Sequence, residues 1–174
     1  AQANQLKVRG HPLVWGQPDG GVIGKDWTAT PAWVYNGNFS REEMIKIMYE
    51  HMTTIIERYG NQVDEWVVVN ESASKAKGAG GFKNTIWKVK IGEDYVKLAF
   101  QKARELAPNA ILILNETGSD YIGQTKYGAE DNIYNHVKKL VQDGVPIDAI
   151  GLEFHITVPP EPWETEPTIE KIVA

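Results

Sequence analysis

Three apolar runs each finish on or beside a carboxylate. They read Val67-Val68-Val69-Asn70-Glu71, Leu112-Ile113-Leu114-Asn115-Glu116 and Ile150-Gly151-Leu152-Glu153-Phe154-His155. A carboxylate abutting β-branched and aliphatic residues is held close to a dry core. Desolvation there disfavours the charged form and moves the group toward the range useful for a general acid. The neighbouring amides of Asn70 and Asn115 can fix a carboxylate rotamer or bind a hydroxyl. Carboxylates set among indoles suit sugars, whose glycosidic oxygen must be protonated on leaving and whose C–H faces stack on aromatic rings. The chain carries six tryptophans and seven tyrosines. Core packing accounts for about half of such aromatics, and a lone strand-end carboxylate serves as readily in a loop or a cap.

Other chemistries find less support. His11 and His155 lie within or just past apolar runs, but no H-E-x-x-H or related spacing points to zinc, and no metal or cofactor is expected. The G-x-S-x-G, G-x-x-x-x-G-K and G-x-G-x-x-G patterns do not occur. The net charge is −5 and basic residues are scattered, so nucleic acid is a poor partner. With no cysteine there is no disulfide scaffold. No apolar run reaches eighteen residues, so no transmembrane helix is expected, and AQANQLKV has neither the basic start nor the apolar stretch of a signal peptide.

The elements that must position these groups alternate. Val8–Trp15, Val63–Val69, Ala110–Leu114 and Ile147–Leu152 read as buried strands, three of them nearly continuous in apolar residues as parallel strands covered on both faces are. Ser40-Arg41-Glu42-Glu43 is a capping box, and the helix it opens carries Met44, Met48, Met52, Ile55 and Tyr59 on one stripe and stops at Gly60. Further helices are predicted from about Glu93 to Leu106, from about Tyr127 to Gln142, and starting at Thr168. Four strand–helix alternations argue for a parallel α/β architecture in one domain, residues 1–174. The stretches Gln17–Thr30, Ser72–Gly92 and Val158–Pro167 read as long loops that follow a strand and precede a helix, the side on which barrels of this type build sites.

Six motifs, in order, resemble glycoside hydrolase family 10 xylanases. Arg9-Gly10-His11-Pro12-Leu13-Val14-Trp15 is similar to R-G-H-T-L-V-W on the family's third barrel strand, and Pro31-Ala32-Trp33-Val34 to the P-x-W after it. His51–Tyr59 looks like the helix before strand four, and Asp64–Glu71 matches D-x-W-x-V-V-N-E. Asn115-Glu116 falls where the family shows N-D, and Gly151–His155 where it shows G-x-Q-x-H. The resemblance implies strands three to six of a (β/α)8 TIM barrel, a half-barrel of four βα units. It implies a retaining, endo-acting secreted enzyme on β-1,4-xylan, with Glu71 as general acid/base. Asn70 would hold the C2 hydroxyl of the sugar, and His11, Trp15 and His155 would line the glycone side. Asn115 and Glu153 would complete the substrate-binding layer.

Three departures accompany the resemblance. Gly16 stands where a histidine is usual. Glu153 replaces a glutamine, and a second carboxylate there would repel the nucleophile. The nucleophile motif T-E-L-D does not occur, and Glu161, Glu164 and Glu166 in their proline-rich stretch do not match it. Two alternatives follow. One is a non-catalytic carbohydrate-binding half-barrel that self-associates or takes up a complementing chain through exposed sheet edges. The other is a related glycosidase using Glu116 or Glu153 as its second carboxylate.

Overall fold

The computed structural model describes residues 1–16, 29–74, 81–117 and 129–153, the side chains at 2 and 129–132 excepted. Its sheet is parallel throughout and open, a partial α/β barrel. Strands β1 (Arg9–Gly10) and β2 (Val14–Trp15) both pair with β3 (Glu65–Asn70), which pairs with β4 (Ile111–Glu116), which pairs with β5 (Ala149–Leu152). The predicted strand Val8–Trp15 is thus split in two. Pro12 has no N–H to give to a ladder, and the pairing offset changes across it, from Arg9 opposite Glu65 to Val14 opposite Val69. Gly10 lies where a Cβ would come within 2.2 Å of the Trp66 indole, so close approach fixes glycine in that motif.

The helices cover one face. Helix α1 (Ala32–Asn36) is followed by α2 (Arg41–Tyr59), which opens on the predicted capping box: Ser40 accepts from the Glu43 amide, and Glu43 accepts from the Ser40 amide. Met44, Met48, Met52 and Ile56 are buried along α2, and each such side chain contributes about 1.5–3 kcal/mol of burial. Ile55 and Tyr59, predicted for that stripe, are only half-buried and exposed, because strict i, i+4 spacing selects Ile56. The helix ends at Gly60 as predicted, with the glycine as its C-cap in a right-handed conformation that leads into a 3-10 turn to Gln62.

Helix α3 (Ile86–Ile91) lies inside a stretch predicted as loop. A helix this short gives little periodic signal. It forms because Thr85 caps it, Ile86, Trp87 and Ile91 are buried, and the Trp87 indole N–H donates to Trp15 O at 3.1 Å. Helix α4 (Tyr95–Leu106) follows, and α5 (Ala129–Gln142) precedes β5. The predicted helix from Thr168 lies outside the described residues. No helix among the described residues is long and apolar enough to cross a membrane.

Candidate active site

Register brings the amides together. Trp15, Asn70, Asn115 and Gly151 stand opposite one another across β2, β3, β4 and β5. A register shift between Val67 and Val69 sets this alignment. Asn115 Nδ2 donates to Asn70 Oδ1 at 2.7 Å and to Glu153 Oε1 at 3.1 Å, so one amide bridges three strand ends. Gly151 makes room for it, since a Cβ there would fall 2.2 Å from Asn115 Oδ1. Trp15 is 36% exposed beside this layer, and His11 is exposed. His155 lies outside the described residues.

Glu71 takes a left-handed backbone, φ 55°, immediately after β3. Its amide donates to Asn115 O at 2.8 Å. The chain beyond it folds back: Ala73 bridges Phe82 antiparallel, Ser74 N–H donates to Gly81 O, and Lys83 N–H donates to Ser72 O. That return places Lys83 Nζ 2.9 Å from Glu71 Oε2, with the lysine side chain 2% exposed and the glutamate 13%. Sequence reasoning missed Lys83, because a lysine in a glycine-rich loop carries no periodic sign that it will be buried.

Glu116 does not share the face of Asn115. Strand alternation puts it with Leu112 and Leu114 against the helices, where it is fully buried. Of the three strand-end carboxylates, Glu116 is therefore turned away from the strand-end layer and is not placed to serve as its second carboxylate. Its Oε1 accepts from the Ser72 amide at 2.8 Å, the Ser72 hydroxyl at 2.7 Å and the Ala73 amide at 3.1 Å. Burial pushes its pKa up to about 7, opposed by the Ser72 bonds and by Lys83, which favour the ionised form. His136 on α5 meets Ser72 Oγ at 2.9 Å. Where Glu116 is ionised it takes the serine proton, and His136 then donates through Nε2. Burial pushes His136 down to about 4. The buried set Ile133, His136 and Leu140 at helical spacing was the available sequence sign of that histidine.

These two buried groups oppose each other in stability. Between pH 4.5 and 7 folded Glu116 keeps a proton that the unfolded chain has released, so its contribution falls as pH rises. Between pH 6.5 and 4 the unfolded chain takes up a proton that folded His136 refuses, so that contribution falls as pH drops. The slopes cancel where the windows overlap. With Glu116→Gln, stability is expected to rise with pH by about 1.4 kcal/mol per unit across that overlap, and with His136→Gln to fall by about as much. Urea unfolding at stepped pH measures both, and slopes of the same sign would contradict the burial of one or the other.

Gly16 is buried, and a Cβ there would lie 2.4 Å from Thr85 Cβ. The seating of α3 against β2 therefore excludes a larger residue at 16. No group of three or more potential metal-ligating side chains occurs among the described residues.

A parallel strand layer whose C-terminal ends carry linked amides and carboxylates, backed by helices, defines a segment of an α/β barrel with its site at the strand ends. The chain belongs to glycosyl hydrolase family 10, whose family model matches residues 1–174. It is 38% identical over 156 residues to endo-1,4-beta-xylanase A of Caldicellulosiruptor saccharolyticus, covering 87% of this chain and 41% of that protein. The structure of xylanase XynB from Paenibacillus barcinonensis, complexed with a conduramine derivative, superposes with TM-score 0.81 at 30% identity, covering 99% of this chain and 47% of that one. Xylanase 10B of Thermotoga petrophila RKU-1, in complex with xylobiose, gives TM-score 0.77 at 28% identity, covering 99% and 47%. The chain thus spans less than half the length of these relatives.

Proposed function

We propose that the protein carrying this chain hydrolyses internal β-1,4-xylosidic bonds of xylan by double displacement, with Glu71 as general acid/base. The observation that carries this reading is the strand-end layer itself. Glu71 is pinned through its own amide to Asn115 and through its carboxylate to Lys83, beside the linked amides of Asn70 and Asn115. A carboxyl group so fixed meets the geometric demand on a group that gives a proton to a leaving oxygen and later takes one from water. Asn70 Oδ1 is occupied by Asn115, which leaves its Nδ2 as the donor for a sugar hydroxyl. Trp15, His11 and His155 form the glycone wall on this reading, and Trp15 is exposed enough to stack on a pyranose face. Binding of xylo-oligosaccharides is supported by the xylobiose complex of the Thermotoga petrophila relative.

The nucleophile belongs to a residue outside this set. Glu116 is turned toward the helices, and Glu153 accepts from Asn115. Secretion agrees with a polymeric substrate that cannot enter a cell. An alternative is a non-catalytic half-barrel that self-associates through β5, favoured only by the exposure of Ile150 and Leu152 there.

Proton NMR of the anomeric products of xylohexaose tests the reaction. The β-anomer is expected first, with the α-anomer rising only by mutarotation. An initial α-product would replace double displacement with direct attack by water, and no cleavage at all would remove the enzymatic reading.

A further inference from the structure

Glu116 has no place in the acid/base reading, yet its surroundings are built from the residues that follow Glu71. Three consecutive amides are received by the end of β4: that of Glu71 by Asn115 O, and those of Ser72 and Ala73 by the Glu116 carboxylate. The Ala73 amide also reaches the second carboxylate oxygen at 3.2 Å. Successive amides beside a left-handed residue make a concave donor set suited to an anion. A left-handed backbone at a glutamate costs about 1–2 kcal/mol, so something nearby must offset it. Charge-assisted hydrogen bonds to a buried carboxylate are among the strongest such offsets.

We propose that Glu116 is a positioning residue for Glu71, its carboxylate filling the amide nest of Ser72 and Ala73 and so holding Glu71 in the left-handed backbone that directs its side chain to Lys83. The charged and titratable groups around Glu116 are consistent with this. Lys83, on the returning loop, is the cation for both carboxylates. His136 on α5, itself facing Lys139, presents a neutral ring to Ser72 Oγ and adds no competing charge. Tyr95 on α4 lies close enough to feel the Glu116 charge. Because burial places the Glu116 titration at about 7, the nest holds an anion above that pH and a weaker acceptor below it. The coupling of the two carboxylates rests on geometry alone. Only its effect on turnover rests on the acid/base reading of Glu71.

The test follows backbone resonances of the protein carrying this chain through pH 5.5 to 8.5. In the wild type the Ser72 and Ala73 amide protons are expected to move downfield together with a midpoint near 7, and the Glu71 Cα and Cβ shifts, which report its φ, to move with them. In Glu116→Gln that common titration is lost, kcat falls about tenfold and KM stays within about twofold. Amides of Ser72 and Ala73 that do not titrate together in the wild type would overturn the proposal without any variant. So would a Glu116→Gln protein with unaltered Glu71 shifts. Normal coupling of the amides alongside full activity in Glu71→Gln would instead remove the acid/base reading and leave the nest intact.

Discussion

Glu71→Gln is expected to lower turnover of unsubstituted xylo-oligosaccharides by about 10²–10⁴-fold, with KM within a few-fold of wild type. Glutamine keeps the shape of the side chain but has no proton of suitable acidity to give. The loss should be smallest for an aryl xyloside whose phenolate departs without protonation, and largest for natural sugars whose alkoxide cannot. Binding energy from Asn70 and the stacked aromatics is made equally in ground and transition states, so KM has little reason to change. The substitution also removes the hydrogen-bonded anion of Lys83, so folded protein must be verified at the assay temperature. Initial rates on both substrate classes check the prediction. Equal loss on both would assign Glu71 a role other than proton transfer to the leaving group, and wild-type rates would remove it from the reaction.

The second large effect concerns the cation. Lys83→Met is expected to destabilise the protein by about 3–5 kcal/mol, because it removes the buried cation that pairs with the Glu71 carboxylate and offsets the charge of Glu116. Methionine replaces the lysine stem with an apolar chain of similar reach, so packing loss is small beside the electrostatic term. The double variant Lys83→Met, Glu71→Gln should recover part of that loss, since the Glu71 charge is then removed together with its cation while Glu116 still lacks Lys83. Urea unfolding of the wild type, both single variants and the double variant closes the cycle. A single-variant cost below about 1 kcal/mol, the range of exposed pairs, would mean that the ion pair is not buried in solution.

Much of this arrangement was legible in the order of residues. The α2 capping box is local: a serine and a glutamate three positions apart satisfy each other whatever surrounds them. The strands β3 and β4 announced themselves as apolar runs, because parallel strands covered on both faces have no polar side to show. The motif around Glu71 identified the family, and the family prescribes a parallel α/β barrel. Alternation within a strand also made it knowable in principle that Asn115 and Glu116 face opposite ways, and the adjacency of their names in the sequence obscured that.

What tertiary structure alone decided is which groups meet. Lys83 reaches Glu71 only because the loop after β3 folds back on itself through the bridge of Ala73 to Phe82. His136 reaches Ser72 only because α5 packs over that loop. Gly16 stands in place of a larger residue because α3, a helix too short to be read in advance, seats Thr85 against it. Local sequence determines hydrogen bonds closed within a few residues and the periodicity of burial. Contacts between segments far apart depend on loop paths and register, and those are set by the packing of the whole sheet and its helices.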